Sequence, residues 1–468
     1  MMMVLTCISS FRVDAQSSNT SFRLGDVNND QSLNITDAVT ILNYLFLNGN
    51  EFSCRRAVDV NKDDFVNLTD AVFMLHYLFL SGSPIAEEYI LSENCDMSDN
   101  GENGYEGEEH ILGFEDGDDI LIDGEEPING KMVNAGDRII LSPAEPDKIN
   151  EVRFDIINLH GEPGKPITIT NFRDGAVKLS VNGRLDINHS SHIRFIGNNS
   201  PYVKYGIQLY DGRGIRAQTW TSDIEIAYIK LKDVESIAIK YIDGEDRGTT
   251  REEGTDGVVI THHNALIHDN LVINSSAEGL YIGNNFMSGD AIRIDYAEVY
   301  NNCVLNAGWD GINIKSVDGG KVYNNLTNNS GSTDDPEVSD SQKDGIAISQ
   351  SANHIETYDN VVFNSVIDGL SDTFGDREQY FDRGGNITRG NIIMGAGRNA
   401  LRVRLDPDDE VRDNLAIDAD DEDIDIEYEG GDRDDVSGNR DSGSGSISDL
   451  RREAQDRFEQ LYNEICVE

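Results

Sequence analysis

A short sequence unit recurs through residues 266–428, and it constrains the fold more than any other feature of the chain. In each copy an Asn ends an apolar run. In five of the six copies, the position nine residues after this Asn holds Gly or the residue that replaces it in the repeat, and we call it the Gly-type position. One copy contains an insertion, because twenty residues separate Asn325 from Gly345. A register that is interrupted only at fixed places is typical of a solenoid of stacked repeats. The recurring asparagines are Asn270, Asn302, Asn325, Asn360, Asn391 and Asn414.

Each copy also holds two short runs that alternate apolar and polar residues, as in Ile312-Asn313-Ile314-Lys315. This period of two predicts half-buried strands, and Gly and Asn mark the turns with no helical stretch between the runs. Successive asparagines are as little as 23 residues apart, which is the length of one coil of a parallel β-helix. We therefore predict a mainly β chain with a parallel β-helix at 111–430, whose asparagines stack at one corner as a structural amide ladder.

The charge balance excludes some functions. The chain has 86 acidic and 38 basic residues, a formal net charge of −48. Such a balance argues against nucleic-acid binding and favours a soluble protein in cation-rich surroundings. No apolar run reaches the roughly 18 residues that a membrane span needs. Residues 1–15 predict the remnant of a signal peptide, since Val13-Asp14-Ala15 follows a short apolar run; an arbitrary N-terminal segment is the alternative.

Two loops near the N-terminus place oxygen-bearing side chains at positions 1, 3, 5, 9 and 12, and the second loop follows the first by 33 residues. Oxygen ligands at this spacing are the EF-hand pattern for calcium. An amphipathic helix follows each loop. The predicted calcium ligands are Asp26, Asn28, Asp30, Asn34 and Asp37 in the first loop, and Asp59, Asn61, Asp63, Asn67 and Asp70 in the second.

These paired loops, each running into a Leu-Phe-Leu helix, resemble a dockerin, the bacterial calcium module that binds cohesins. The resemblance implies a small all-α, EF-hand-like module at 22–92, with Ca2+ as cofactor and a cohesin as partner. Gln31 and Asp64 stand where such loops usually have Gly, which implies weaker calcium binding. A calcium-stabilised spacer without a cohesin partner is the alternative. The resemblance also implies a disulfide between Cys54 and Cys95, as secreted dockerin-like modules often have.

The other boundaries follow from composition. Residues 93–110 predict an acidic linker and residues 431–445 a Gly/Ser/Asp linker. Residues 446–466 predict an amphipathic helix that either lies against the β-helix or covers its last coil. Of the remaining cysteines, we expect Cys303 to be a packed thiol beside a repeat Asn, and Cys466 to be free.

We expect the functional side chains on the strand after each Gly-type position. Coils about 4.8 Å apart stack outward residues into a ladder on one face. Its predicted members are Lys240, Tyr281, Asn313, Lys315, Ser349, Asp372, Arg402 and Arg404. A second row precedes the Gly-type positions, although an Asp before Gly is also a good turn former. Its predicted members are Glu278, Asp310, Asp344 and Asp368. Insertions at 284–295, 327–343 and 373–383 are expected to wall a groove over the ladder.

Residues 278–283 and 308–312 resemble the repeats of secreted bacterial right-handed parallel β-helix proteins, the pectate-lyase-like superfamily. Residues 135–141 and 161–169 resemble the entry coils of chondroitinase-B-like polysaccharide lyases. Those lyases use a Lys followed by Ser on such a strand, with an Arg one coil on. Lys315-Ser316 looks like the first element, whereas residues 349–353 contain no Arg for the second.

In β-elimination from a uronate, a cation neutralises the carboxylate and a Lys or Arg takes the neighbouring proton. We therefore predict a secreted, monomeric protein that binds an acidic polysaccharide and depolymerises it by calcium-assisted elimination. The predicted catalytic residues are Lys315, Asp310, Asp344 and Arg402. The predicted substrate-binding residues are Glu278, Tyr281, Asn313, Asp368 and Arg404. A glycoside hydrolase with paired carboxylates and a non-catalytic glycan-binding or adhesion solenoid are the alternatives.

Overall fold

The computed structural model divides into two compact units, Met1–Tyr105 and Glu106–Glu468. The residues it describes are 21–30, 32–47, 52, 54–58, 60, 68–79, 89–91, 107–146, 148–242, 261–262, 264–283, 293–333, 342–349, 352–373, 384–428 and 435–467. The predicted signal remnant at 1–15, most of the predicted linker at 93–110 and most of the second calcium loop lie outside these residues. Among the described helices, none is long and apolar enough to span a membrane.

The N-terminal unit is organised around two helices that pack against each other. Its elements are strand Ser21–Arg23, helix Ile35–Leu47, 3₁₀-helix Arg55–Ala57, helix Leu68–Phe79 and strand Tyr89–Leu91. The two strands pair antiparallel, so the module contains a short sheet that the all-α prediction omits. Ile41 and Met74, one from each helix, are fully buried in a common apolar cluster with Leu24. Each helix buries one face, which carries Ala38 and Ile41 in the first helix and Ala71 and Met74 in the second, whereas Val39 and Phe79 are exposed.

The C-terminal unit is a parallel β-helix, whose coils contribute strands to three faces. This confirms the predicted fold class. The first face has twelve strands. They are Glu109–Phe114, Arg138–Pro143, Ile167–Asn171, Ser191–Ile196, Ser222–Ala227, Ala265–His268, Ala297–Tyr300, Asp318–Tyr323, Asn353–Tyr358, Ile387–Arg389, Glu410–Arg412 and Val436–Ser437.

The other two faces share the long strand Asn150–Ile157, which pairs with a strand of each. The second face continues through Val177–Val181, Ile207–Tyr210, Ile229–Val234, Leu271–Ser275, Cys303–Ala307, Leu326–Asn328, Val361–Phe363, Ile392–Met394 and Leu415–Ile417. The third face contains Asp119–Asp123, Leu185–Asn188, Ile215–Gln218, Ile239–Tyr241, Leu280–Gly283, Ile312–Lys315, Ile346–Ser349, Leu370–Thr373, Asn399–Leu405 and Glu422–Tyr428. Thr261–His262 and Arg293–Ile294 form a separate parallel pair.

A ladder of buried asparagines connects consecutive coils at one corner, as predicted. Asn302 is typical: its amide nitrogen donates to Oδ1 of Asn325 at 3.0 Å and to the carbonyl oxygen of Ile267 at 2.8 Å. Its main-chain nitrogen donates to the same Oδ1 at 3.0 Å. Each side chain therefore satisfies main-chain groups of the preceding coil and bonds the Asn side chain of the next one, which a buried corner requires because no water reaches it.

The ladder extends one coil further than the sequence analysis predicts. Asn414 donates to Oδ1 of Asn439 at 2.9 Å, and strand Val436–Ser437 pairs with the first-face strand before it. The predicted linker at 431–445 is therefore wrong at these positions. The segment 431–445 has a single apolar residue, Val436, and so shows no period-2 pattern. The sequence indicates this coil only through the spacing between Asn414 and Asn439. At the other end, the first coil begins with Glu109–Phe114, two residues before the predicted boundary at 111.

Helix Ile447–Leu461 and the π-helical turn Tyr462–Cys466 lie along the second face. Leu450, Ala454 and Leu461 are buried against apolar residues of several coils. The ring of Phe458 lies 4.6 Å from the ring of Phe363. Of the two predicted placements, the structure shows the helix against the side of the β-helix.

The predictions for Cys303 and Cys466 are wrong, because these residues form a disulfide across a sequence separation of 163. A helix rises 1.5 Å per residue, so the fifteen residues of the C-terminal helix run about 22 Å, or between four and five coil spacings. This length carries Cys466 back to the coil of Cys303. The sequence shows neither the direction of the helix nor its packing surface, so the pair is not recognisable there.

We expect Asn325→Ala to lower the free energy of unfolding by about 3 kcal/mol, because it leaves buried main-chain and amide groups of two neighbouring coils without partners. Urea unfolding followed by circular dichroism measures this. Asn328→Ala is the control, since Asn328 is only half-buried and accepts one exposed hydrogen bond from Asn364. Equal shifts of the unfolding midpoint for both variants would contradict a stabilising role of the buried ladder.

Candidate functional site

The third face presents a row of side chains that point away from the apolar interior, which we call the outer row. Its alternating neighbours, such as Ile312 and Ile314, belong to the buried core, so the predicted alternation is confirmed. The outer row consists of Lys240, Tyr281, Asn313, Ala347, Ser371, Arg402 and Asp425. Lys315, Ser349, Thr373, Arg404 and Glu427 lie two residues further along the strands. Polar groups from successive coils thus lie side by side along the helix axis.

Asp372 does not belong to this surface. It pairs in register with the inward-pointing Ile348. Its carboxyl accepts hydrogen bonds inside the coil from Asn386 at 3.1 Å and Thr388 at 3.4 Å. The predicted outward position of Asp372 is therefore wrong. The strand Leu370–Thr373 has one apolar residue, so its in-and-out phase cannot be read without the neighbouring coils.

An acid row, Glu278, Asp310, Asp344 and Asp368, precedes the third-face strands. All four side chains are buried. The main-chain nitrogen of Asp344 donates to Oδ1 of Asp310 at 2.9 Å, and that of Asp368 donates to Oδ1 of Asp344 at 3.0 Å. Asn313 donates to Asp310, and the Ser371 hydroxyl donates to Asp344 at 2.6 Å. The acids therefore also shape the turn, as the turn-former interpretation expects.

Burial controls the protonation of the acid row. It raises the pKa of Asp310 well above its usual range, and the neighbouring Asp344 carboxyl adds to this effect. It raises the pKa of Asp344 to about 7, with a contribution from Asp368. Burial also raises the pKa of Glu278, against the opposing charges of Lys315 and Lys240. Oε2 of Glu278 has no hydrogen-bond partner among the described residues.

Asp368 is held by arginines instead. Arg398 donates from Nε to its Oδ1 at 2.8 Å and contacts its other oxygen. Arg402 approaches the same carboxylate at 3.7 Å, and also contacts Asp425 at 3.4 Å. The predictions omit Arg398. In the sequence, Arg398 stands directly before Asn399, which occupies the acid-row position of its copy. No other copy has an arginine before this position.

A tyrosine between two lysines forms the most chemically distinctive part of the site. The Lys240 ammonium lies 4.8 Å from the centre of the Tyr281 ring, and the Lys315 ammonium lies 5.5 Å from it. Burial raises the pKa of Tyr281, and the Glu278 charge adds to this effect. Burial lowers the pKa of Lys240. Lys240, Tyr281, Lys315, Glu278 and Asp310 together form what we call the lysine centre.

Only some of the predicted catalytic residues come together. Lys315 and Asp310 meet in the lysine centre, and Asp344 lies one coil further on. Arg402 lies three coils from the row position of Asn313, which at about 4.8 Å per coil is roughly 14 Å away. Lys315 and Arg402 therefore cannot contact the same sugar unit.

A cleft of about 520 Å³ opens beside Arg402. It is lined by Arg398, Asn399, Arg402, Asp420, Asp421, Glu422 and Asp425. Arg404 lies just beyond and contacts Glu427 at 3.4 Å. The predicted insertion walls at 284–295, 327–343 and 373–383 lie mostly outside the described residues.

The first calcium loop has the donor chemistry for its ion. Asp26 and Asp37 are buried, and the loop wraps around Asp37, which accepts main-chain hydrogen bonds from Val27 and Asn34, both at 2.9 Å. Asn28 supplies an amide oxygen. Carboxylate and amide oxygens are what calcium prefers, so these residues fit it. Across the described parts of the chain, no group of three or more Asp, Glu, His or Cys side chains has metal-binding geometry.

The rest of the predicted N-terminal sites are only partly described. In the second loop, Asp70 is buried and accepts a hydrogen bond from the main chain of Val60 at 2.9 Å. Asp59, Asn61, Asp63 and Asn67 lie outside the described residues. Cys54 forms a disulfide. Cys95 lies outside the described residues, so the pairing of Cys54 with Cys95 stays a prediction.

Comparison with known proteins confirms the dockerin resemblance. The family described as dockerin type I domain matches residues 24–79. No match was found among curated proteins. The match covers the N-terminal unit and leaves the β-helix to be interpreted from its own residues.

Several solved structures are similar to about two thirds of the chain. The A-module of the Azotobacter vinelandii mannuronan C-5 epimerase AlgE4 is 12% identical, with a TM-score of 0.31, over 66% of this chain and 69% of that one. The Dettilon tailspike protein is 12% identical, with a TM-score of 0.35, over 64% and 53%. Pectate lyase Pel9A is 14% identical, with a TM-score of 0.32, over 69% and 80%. Similarity at this level says nothing about the chemistry of this chain.

The acid row makes stability depend on pH. Asp344 has a folded-state pKa of about 7 against a usual value of 3.8. The folded chain keeps this proton at pH values where the unfolded chain loses it. The resulting stabilisation is fully present below about pH 4 and is lost as the pH rises through 7, a change on the order of a few kcal/mol.

We expect Asp344→Asn to weaken this pH dependence, because the variant side chain cannot ionise. Thermal unfolding between pH 4 and pH 8 measures it. Asp413→Asn, at an exposed corner of the first face, is the control. The raised pKa of Asp344 would be contradicted if the melting temperature of the parent chain rose from pH 4 to pH 8. It would also be contradicted if Asp344→Asn changed its melting temperature with pH as steeply as the parent does.

Proposed function

We propose that this chain is an exported carbohydrate-active protein whose third face binds an acidic polysaccharide and cleaves it by β-elimination. The observation that carries the proposal is the lysine centre, where Lys240 and Lys315 lie on either side of Tyr281. Elimination from a uronate needs a base for the proton next to the carboxylate, a positive charge beside that carboxylate and an acid for the leaving oxygen. The lysine centre supplies all three.

Lys315 first gives up its own proton to water and then takes the proton from the carbon next to the carboxylate. The electron pair of that C–H bond forms a carbon–carbon double bond as the bond to the glycosidic oxygen breaks. Tyr281 donates its proton to the leaving oxygen, since its raised pKa keeps the phenol protonated. Lys240 offsets the charge of the uronate carboxylate. Proton exchange with water then restores Lys315 and Tyr281.

The acids of the lysine centre make this chemistry more compatible with an anionic substrate. Burial raises the pKa of Glu278 and of Asp310, which lowers the negative charge beside the uronate. Asn313, which donates to Asp310, holds that carboxyl in place. A fully ionised acid row would instead repel the polymer.

The arginines near the cleft hold a different part of the polymer. Arg402 and Arg404 are about three coils from Lys315, so they would contact a sugar several units away from the bond that breaks. Guanidinium groups bind carboxylates through two parallel hydrogen bonds, which suits this task. Asp368, paired with Arg398, fixes that arginine next to the cleft.

Calcium assistance within the groove is not part of the proposal. The acid row fits a calcium ion poorly, because burial protonates Asp310 and because Asn313 and Ser371 already donate to the carboxyls of Asp310 and Asp344. Lys315 also brings a positive charge to the same place. The residues of the groove therefore perform the steps above by themselves.

A glycoside hydrolase is the second candidate, and one observation favours it. Asp344 has a raised pKa of about 7, while its neighbour Asp368 pairs with Arg398. Adjacent coils are about 4.8 Å apart, close to the roughly 5 Å between the two carboxyls of a retaining glycosidase. However, both carboxyls also accept main-chain hydrogen bonds from the next coil. A solenoid that binds glycan without turnover is the third possibility.

The N-terminal module supports attachment of the enzyme to a scaffold. The dockerin type I match covers both calcium loops. We propose that Asp26, Asn28, Asp30, Asn34 and Asp37 bind one calcium ion and that the second loop binds another, which orders the two helices for a cohesin partner. The donor chemistry of the first loop supports this, as do the two closely packed helices.

We expect incubation with one acidic polysaccharide among alginate, pectate, chondroitin and ulvan to produce the ultraviolet absorbance of an unsaturated uronate. Lys315→Ala should lower the initial rate by at least about a hundredfold, because general-base catalysis contributes roughly that much. Lys321→Ala, on the first face, is the matched control. If Lys315→Ala cleaves as fast as the parent chain, Lys315 is not the base. If no polymer gives absorbance, release of reducing ends separates a hydrolase from a binding solenoid.

We expect calorimetry to show two calcium ions per chain, with Asp37→Ala and Asp70→Ala each removing one. The physical reason is that position 12 of each loop supplies a carboxylate ligand that Ala cannot replace. Asp449→Ala, on the C-terminal helix, is the control. Two remaining calcium ions in either loop variant would contradict the assignment of that loop.

A further inference from the structure

The N-terminal coils of the third face carry a cluster of arginines that the functions above do not use. We propose that Arg184, Arg213 and Arg216, together with Lys240 at the edge of the lysine centre, form a basic patch that binds the anionic groups of a polysaccharide strand. This inference extends the proposed function, on which it rests for the choice of a polysaccharide as the ligand. The anionic groups are carboxylates or sulfate esters, which arginines bind in the same way.

The strand register brings the patch together. Arg216 is paired with Lys240 on the next coil and with Asp186 on the coil before. Arg184 directly precedes the strand of Asp186. The main-chain nitrogen of Arg213 donates to the carbonyl oxygen of Gly183 at 2.6 Å, which places the backbone of Arg213 beside that of Arg184.

The turn that carries Arg213 leaves its side chain without bulky neighbours in sequence. Gly212 and Gly214 have φ values of 67° and 76°. A Cβ at Gly212 would lie 2.4 Å from the carbonyl oxygen of Val181, and one at Gly214 would lie 2.3 Å from that of Ala238. Neither position accepts a side chain, so Arg213 stands between two glycines in this turn. Arg213 is exposed, and Arg184 and Arg216 are half-buried.

The patch brings positive side chains together in a chain whose net charge is −48, although Asp211 and Glu235 lie beside the turn that carries Arg213. Arg216 contacts Asp186 at 2.8 Å. Glu278 interacts with Lys240, and burial raises the pKa of Glu278. Burial lowers the pKa of Arg184, and the positive charges of Arg216 and Arg213 lower it further. Like charges held this close are unfavourable unless an anion binds between them, so the patch is complementary to a polyanion.

The patch is continuous with the lysine centre. Lys240 belongs to both, since its ammonium lies 4.8 Å from the Tyr281 ring. The strands of Asp186, Arg216 and Lys240 lie on three successive coils, which span roughly 10 Å along the axis. A polymer that follows the axis would therefore place its anionic groups over the patch while another unit occupies the lysine centre. Binding at both places at once holds a long chain more tightly than a short one.

The test is electrophoresis of the full chain in native gels that contain a soluble polysaccharide. Three polymers are compared: polygalacturonate for carboxylates, dextran sulfate for sulfate esters, and dextran as the neutral polymer. The variant is Arg184→Gln with Arg213→Gln. The control is Lys321→Gln with Arg412→Gln, which removes the same two charges from the first face. Thermal unfolding verifies that each variant is folded.

We expect both anionic polymers, or one of them, to retard the parent chain, and dextran to leave it unaffected. The patch variant should bind about fivefold more weakly than the parent, as the loss of two partly exposed ion pairs predicts, and the control should bind as the parent does. Retardation by only one polymer identifies the anionic group. A folded patch variant that binds like the parent, or a control that loses as much, would overturn the inference.

The same gels separate this inference from the proposed function. Lys315→Ala should still be retarded, because it leaves Arg184 and Arg213 unchanged. If the chain cleaves no polymer but the patch variant alone loses retardation, the basic patch stands and the elimination does not. If cleavage is seen and the patch variant binds like the parent, the elimination stands and the patch does not.

Discussion

The buried asparagine ladder is the interaction on which the functional surface depends. Each amide bonds a main-chain carbonyl of the preceding coil and the Asn side chain of the next coil, as Asn325 does with Val299 and Asn360. A shift of one residue would leave these buried groups without partners and would turn every strand over. The ladder therefore fixes the phase of the coils. With that phase fixed, the four residues that follow each repeat Gly lie on the third face in consecutive coils.

Burial then determines the charge of the surface that this stacking creates. The acid row would place four negative charges along one line if it were ionised. Burial instead raises the pKa of Glu278, Asp310 and Asp344, while Asp368 has Arg398 as its partner. The lysine centre therefore presents Lys240 and Lys315 to a ligand, whereas the cleft beside Arg402 is lined by Asp420, Asp421, Glu422 and Asp425. The lysine centre is thus a positive site on a chain that is strongly acidic overall.

Much of this could be predicted from the sequence, because local periodicity encodes it. The asparagine spacing predicts the coil, and the alternation around Asn313 predicts that Lys315 points outward. What failed depends on long-range packing. The phase of Asp372 is set by its neighbours on adjacent coils, and the Cys303–Cys466 disulfide by the path of a helix. The distance between Lys315 and Arg402 follows from counting coils, yet the sequence analysis placed both in one catalytic set.

The central claim is that the lysine centre breaks the polymer by elimination, and the mass of the products tests it most directly. The products of an acidic polysaccharide, digested by the full chain, are measured by mass spectrometry. Elimination predicts that each new chain end is lighter by one water than the end that hydrolysis produces, and that Lys315→Ala abolishes these products while Lys321→Ala does not. Fully hydrated products, or unsaturated products that persist in Lys315→Ala, would contradict the account.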